Sequence, residues 1–186
     1  PDRASCYYSF TRMDTRGPLQ VEDKTLRVTR SAWMDHEYSS PPLDPDAEGW
    51  DWFSLQLDDE TELMVFVIRE KNGRDSSASS GTFVEPQGQV RHLPRSAFTL
   101  ERLATWTSPH SKARYPSRWR LRVPALDLDL TVAPNLDDQE LQTGPTTGVT
   151  YWEGSVRVNG TRAGSPVAGH GYVELTGYAS PFDAPL

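Results

Sequence analysis

One cysteine, Cys6, stands in 186 residues, so neither an internal disulfide nor a cysteine-based zinc centre can form. Long apolar runs are missing too: the longest, Leu63–Ile68, falls far short of a membrane span. Basic runs are also missing and the net charge is −7, which argues against a nucleic-acid partner. There is no Gly-rich phosphate loop and no Gly-x-Ser-x-Gly elbow. His36, His92, His110 and His170 are scattered without metal-ligand spacing, so neither a metal nor a cofactor is expected. No targeting segment is visible. The chain begins at Pro1 without an initiator Met, as a fragment or processed form would, and the compartment (cytoplasmic or secreted) stays open.

What is present points to an all-β domain. Hydrophobic residues make up 36%, with six Trp and seven Tyr, a heavy load of amphipathic rings that suit cores and ligand sites alike. Helical periodicity is almost absent, while short alternating segments recur from end to end. Expected strands are Cys6–Arg12, Leu26–Val28 running on to Ser31–Tyr38, Trp50–Leu57, Leu63–Arg69 and Gly81–Val84. Phe98–Thr105, Trp119–Val123, Leu126–Val132, Val149–Val158 and Gly171–Tyr178 follow. Asp58-Asp59, Asn72-Gly73 and Asn159-Gly160 read as hairpin turns. Asp137–Leu141 reads as a single helical turn. Roughly ten short strands with tight turns suggest a sandwich or a barrel. The longer connections Ser39–Gly49, Thr107–Arg118 and Ala133–Gly148 are either functional rims or plain solvated loops.

Four clusters could carry chemistry. In Ser31–Tyr38, Trp33, Asp35 and Glu37 share one strand face, and Met34, His36 and Tyr38 share the other. The two carboxylates lie roughly 7 Å apart along the backbone, and burying both ionised costs several kcal/mol each. The His36–Tyr38 face is therefore the one expected inward, because neutral imidazole needs only one donor and one acceptor. His36 is then a candidate general acid or base, with Asp35 and Glu37 beside it as catalytic candidates. A core histidine with both nitrogens satisfied explains the same residues.

The second cluster is Gly49–Phe53, where Trp50 and Trp52 share a face and make an apolar wall with two N–H donors. Tyr151-Trp152-Glu153-Gly154 is the third. In the fourth, Gly169–Tyr178, Tyr172, Glu174, Thr176 and Tyr178 share a polar-aromatic face, while Val173 and Leu175 share an apolar one. The first face lines a liganded barrel; the second fills a dry one.

The order of these clusters resembles the lipocalin-like family that contains hydroxyneurosporene synthase, a carotenoid 1,2-hydratase. Ala32-Trp33-Met34-Asp35-His36-Glu37, Gly49-Trp50-Asp51-Trp52-Phe53, Tyr151-Trp152-Glu153-Gly154 and Gly171-Tyr172-x-Glu174-Leu175-Thr176-Gly177-Tyr178 carry the resemblance, which spans nearly the whole chain. It implies a lipocalin-like (calycin) antiparallel β-barrel of roughly eight to ten strands over 1–186. This would be the second of two consecutive barrels, with an amino-terminal lipocalin-like domain as partner.

The resemblance also implies an enzyme of isoprenoid or polyketide secondary metabolism, of the hydratase or cyclase (lyase or isomerase) type. Its substrate would be a hydrophobic, polyene-like small molecule held in or between barrels. The catalytic His maps onto His36 and the aromatic two residues on maps onto Tyr38. The family's hydratases place Asn after that His, where Glu37 stands, and an acid on the following strands, where Met64 and Phe66 stand. Trp33, Tyr38, Trp50, Trp52, Met64, Phe66, Trp152, Glu153, Tyr172 and Glu174 are the expected substrate-binding set. A non-catalytic lipid carrier, or a barrel that only braces its neighbour, fits the same pattern.

Overall fold

The computed structural model describes residues 5–39, 44–144 and 148–180. Strands β1 (Ser5–Val21) and β2 (Lys24–Ser39) pair antiparallel into one long hairpin, a compact unit by itself. The chain turns at Glu22-Asp23, with Glu22 at φ 51°. β1 continues well past Arg12 and through Pro18. Proline is tolerated there because each strand of a two-stranded ribbon has an open edge.

The second unit holds the other ten strands. They are β3 (Ala47–Leu57), β4 (Glu62–Glu70), β5 (Ser80–Val84), β6 (Val90–Pro94) and β7 (Thr99–Thr107). β8 (Arg114–Val123), β9 (Leu128–Pro134), β10 (Glu140–Gln142), β11 (Thr150–Arg162) and β12 (Ser165–Leu175) complete it. The spatial order is β6-β5-β4-β3-β12-β11-β9-β8-β7, with β10 paired to β11, and every pairing is antiparallel. The sheet curls into the expected lipocalin-like barrel. Among the described residues no ladder joins its end strands, β6 and β7, which a short 3-10 turn at Arg95–Ala97 connects.

Alternation decides what fills the barrel. Phe53, Leu55, Leu63, Val65, Phe83, Trp119, Leu121, Leu130, Val132, Val156 and Val173 are all fully buried and form one core. Phe53 meets Trp119 edge to face at 5.4 Å, and Trp119 meets Trp152 at 6.4 Å. The apolar face of β12, Val173 and Leu175, points in, so the interior is filled by side chains.

Two local expectations are corrected. Asn159-Gly160 lies inside β11, opposite Thr131 and Leu130 of β9, and not in a turn. Gly160 is there for close approach: a Cβ on it would sit 2.0 Å from the Asp129 carbonyl oxygen. The turn falls at Ala163-Gly164, with φ of 49° and 76°, the paired positive values of a type I′ hairpin. Asp137–Leu141 is not a helical turn, because its polar groups are taken up across the sheet. Trp152 Nε1 donates to the Asp137 carbonyl at 2.7 Å, and Glu153 N donates to the Gln139 carbonyl at 3.1 Å.

Candidate functional site

On the hairpin, His36 of β2 stands opposite Tyr8 of β1. The Tyr8 hydroxyl and His36 Nδ1 are 2.9 Å apart, and the Tyr38 ring packs edge-on to the imidazole at 5.4 Å. His36 Nε2 has no hydrogen bond among the described residues, so the ring is anchored through Nδ1 alone. The opposite face carries Asp35, whose Oδ1 accepts from Ser9 Oγ at 2.5 Å and from Trp33 Nε1 at 2.8 Å. Asp35 therefore orients Trp33 and Ser9 and does not touch the imidazole side. Glu37 lies on the Asp35 face and is exposed.

On the barrel, the register gathers most of the expected binding residues on one face. The row Glu153–Glu174–Trp52–Phe66 runs straight across β11, β12, β3 and β4. The next row is Ser155–Tyr172–Ser54–Met64, and Trp50 pairs with Ile68 beside them. These side chains alternate with the core residues Phe53, Val65, Val67, Val173 and Leu175, so they occupy the outer face of the sheet. Trp50, Trp52, Met64, Phe66, Glu153 and Glu174 are partly buried there, and Tyr172 is exposed. Trp152 stands apart, at 2% exposure inside the core.

This face has unusual electrostatics for a sheet surface. Glu153 and Glu174 are directly opposite each other, and like charges in that position destabilise a sheet. Trp50 Nε1 donates to Glu174 Oε1 at 2.9 Å. Burial, the Glu153 charge and a hydrogen bond to Glu153 push the Tyr151 phenol up to about 12. Burial and the same two carboxylates also raise Tyr172. The surface thus combines an apolar aromatic bed with two carboxylates and neutral phenols at one edge.

Two polar clusters were not foreseen. Asp51, fully buried, accepts from Arg69 Nε at 3.0 Å, Arg102 Nη2 at 2.9 Å and Tyr178 OH at 2.9 Å. Arg69 also donates to the Thr176 carbonyl and lies over the Tyr178 ring, 3.9 Å from its centroid. Burial and the Asp51 charge raise the Tyr178 phenol, and the two guanidiniums oppose that rise. The signal was legible: Asp51 and Arg69 occupy core-facing positions of strands that otherwise alternate Phe53, Leu55 and Val65, Val67.

In the second cluster Glu140 accepts from Ser108 Oγ at 2.6 Å, from Ser111 Oγ and from Tyr115 OH at 3.0 Å. Burial works against ionisation of Glu140, but these bonds and that of Gln142 outweigh it and hold the carboxyl low. Among the described residues no group of three or more His, Cys, Asp or Glu could hold a metal ion. Among the described residues no helix is long and apolar enough to cross a membrane.

Comparison with known proteins places this arrangement. The chain is similar to kievitone hydratase of Fusarium solani subsp. phaseoli, 23% identical over 171 residues, covering 92% of this chain and 47% of that protein. Its fold matches the crystal structure of an AttH protein from Nitrosomonas europaea with a TM-score of 0.83 and 37% identity, covering 94% of this chain and 52% of that one. Kievitone hydratase from Nectria haematococca matches with a TM-score of 0.76 and 21% identity, over 95% of this chain and 53% of that one, a likeness of fold. The chain thus spans about half the length of the relatives it matches. A profile of the AttH-like family matches residues 1–178, and the chain belongs to that family.

Proposed function

We propose that this chain is part of a hydratase-type lyase acting on an alkene of a hydrophobic, isoprenoid- or polyketide-like small molecule. The observation that carries the reading is the outer-face row Glu153–Glu174–Trp52–Phe66, flanked by Trp50, Met64 and Tyr172. It is an apolar bed ending in carboxylates, the surface that an unsaturated hydrocarbon chain and an attacking water both need. The similarity to kievitone hydratase supports the reaction class.

In this reading the substrate chain lies along Trp50, Trp52, Phe66 and Met64. One carboxyl of the Glu153–Glu174 pair gives its proton to one alkene carbon, water oxygen bonds to the other carbon, and the resulting carboxylate takes the proton that the bound water loses. The carboxyls of Glu153 and Glu174 orient that water, which restores the polar group missing from β4. On the hairpin, taken by itself, His36 is a candidate proton-transfer group through Nε2. Asp35 fixes Trp33, and Tyr38 packs against the imidazole, while Glu37 lies on the opposite face. A second calycin barrel is the natural partner, since the relatives are about twice as long.

The filled barrel interior favours this external surface over an internal ligand cavity. It also favours an enzyme surface over a carrier of the type that swallows its ligand.

The test uses a prenylated phenol as probe in oxygen-18 water. Expected is saturable quenching of Trp fluorescence and a product heavier by one labelled water. Glu174→Gln should keep the quenching and lose the product, whereas Trp52→Ala should lose both. A chain that gives neither quenching nor labelled product overturns the assignment.

A further inference from the structure

The hairpin of β1 and β2 keeps one face apolar along its whole length. At its open end, Cys6, Tyr8 and Phe10 stand opposite Tyr38, His36 and Met34, so all six share a face. Between Phe10 and Met13 the ladder takes three steps on β1 against two on β2. That bulge resets the parity of β1. Gly17, Leu19 and Val21 thereby continue on the face that Leu26 and Val28 hold on β2; without the bulge, Asp14 and Arg16 would take their place. The other face carries Asp14, Arg16, Arg27, Thr29 and Glu37, and Trp33 on that side is tied to Asp35.

The strip is open to solvent. Tyr8, Phe10 and Tyr38 at one end, and Leu19, Val21 and Leu26 at the other, are 46–57% exposed. At roughly 200 Å² for each large side chain, they present on the order of 600 Å² of surface. That is the upper end of the largest patch on an ordinary monomer, and patches of this size mark interaction sites. A two-stranded hairpin is marginal by itself in water and is stabilised by packing its apolar face on a second layer.

A second copy supplies a layer of matching length and shape. Two such strips face to face bury roughly 1,200 Å², the lower end of a stable specific interface. A two-fold axis crossing the ribbon at the Asp14–Ser31 pair lays them antiparallel, and the ladder then counts off the levels. Gly17 of one copy meets Phe10 of the other, Leu19 meets Tyr8, Val21 meets Cys6, and Arg30 meets Ala32. Large side chains fall on small ones. A Cβ on Gly17 would meet nothing within 4 Å, which leaves a notch for the Phe10 ring. Arg30 lays its stem over Ala32 and carries its charge past the open edge of β2 into water. The relatives hold about twice this length in one chain, and two copies assemble the same length from two.

We propose that this strip is a homodimer interface, in which the hairpins of two copies pack face to face and antiparallel about a two-fold axis. The pairing does not depend on the activity assigned to the outer face of the barrel. Its dissociation constant is on the order of micromolar, as befits an interface of this size.

Sedimentation equilibrium of the 186-residue chain tests it. Expected is a species of twice the 20.9 kDa of one chain. Phe10→Glu and Leu26→Glu should each weaken the dimer at least tenfold, while Thr29→Glu on the opposite face leaves it unchanged. Cross-linking checks the register without relying on the glutamate variants to fold. Val21→Cys places a new thiol opposite Cys6 of the other copy, across the roughly 10 Å that separates packed sheets. Within one chain the two positions stand roughly 45 Å apart along the ribbon, so a short bismaleimide can join them only between copies. Val21→Cys should give a covalent dimer and the unsubstituted chain should not. Three results overturn the assignment. One is a monomer at about 100 micromolar, including one that binds anionic phospholipid vesicles instead. The second is a loss in Thr29→Glu equal to that in Phe10→Glu. The third is a dimer that Val21→Cys does not link.

Discussion

Replacing Asp51 by Asn tests how the barrel tolerates ions in its core. The substitution keeps the shape and removes one negative charge at a site with no solvent exposure. Its new amide N–H groups face donors, since Arg69 Nε, Arg102 Nη2 and Tyr178 OH all point at this side chain. The consequences differ between the two arginines. Arg102 is 44% exposed, so water replaces Asp51 there and that arm is worth about 1 kcal/mol or less. Arg69 is only 10% exposed and keeps the Thr176 carbonyl and, as its one remaining carboxylate among the described residues, the half-exposed Glu48 at 3.5 Å. An uncompensated buried charge costs roughly 3–5 kcal/mol. At about 2–4 °C per kcal/mol for a domain of this size, the melting temperature should fall by roughly 6–20 °C. Urea unfolding followed by Trp fluorescence should show a lower midpoint with an unchanged slope. Arg102→Met should cost about 1 kcal/mol or less in the same assay. Asp51→Leu combined with Arg69→Met should recover part of the loss, because removing a whole buried pair is often neutral. An Asp51→Asn cost below about 1 kcal/mol, or an Arg102→Met cost equal to it, refutes the reasoning.

Glu140 gives an acid-side prediction. Its folded-state pKa lies below the ordinary 4.5, so its stabilising effect is complete above that pH and fades as pH falls through the folded value. Glu140→Gln should lower stability at neutral pH and flatten the loss between about pH 5 and 3; equal slopes for both proteins in pH-dependent urea unfolding would contradict this. Tyr151 gives an alkaline one. Its ionisation, held at about 12 by burial and by Glu153, should move part of the way back toward 10.0 in Glu153→Gln. Spectrophotometric titration of tyrosinate checks it, and an unmoved midpoint would mean that the carboxylate has no part in the shift.

Period-two alternation made most of the fold legible. Leu128, Leu130 and Val132 point inward as their spacing dictates, and so do Val173 and Leu175. Turn chemistry was less reliable. Asn72-Gly73 does turn, with Gly73 at φ 80°, but Asn159-Gly160 does not. Glycine serves positive φ and close backbone approach equally, and only the position of Asp129 on β9 separates the two. Asp137–Leu141 misled because a short polar segment has no period of its own and takes whatever pairing Trp152 and Glu153 offer.

The grouping of the site was more legible than its orientation. Trp50, Trp52, Met64, Phe66, Tyr172 and Glu174 do fall on one face, since residues two apart on neighbouring antiparallel strands must. Which face is inward follows from the other parity: Phe53 and Leu55, Val65 and Val67, Val173 and Leu175 form a cheaper core than a set containing Glu174. The parity that takes Phe53 inside takes Asp51 inside with it and Trp50 and Trp52 outside. Asp51 then needs Arg69, Arg102 and Tyr178 to be tolerated. The buried ion cluster and the outward aromatic row are thus two consequences of one register, and shifting that register by a single residue would exchange them. A barrel that buried Trp50 and Trp52 would expose Phe53 and free Asp51, losing both the filled core and the fixed Arg102. The interior of this sheet is given to packing, which leaves its outer face as the surface on which chemistry can be built.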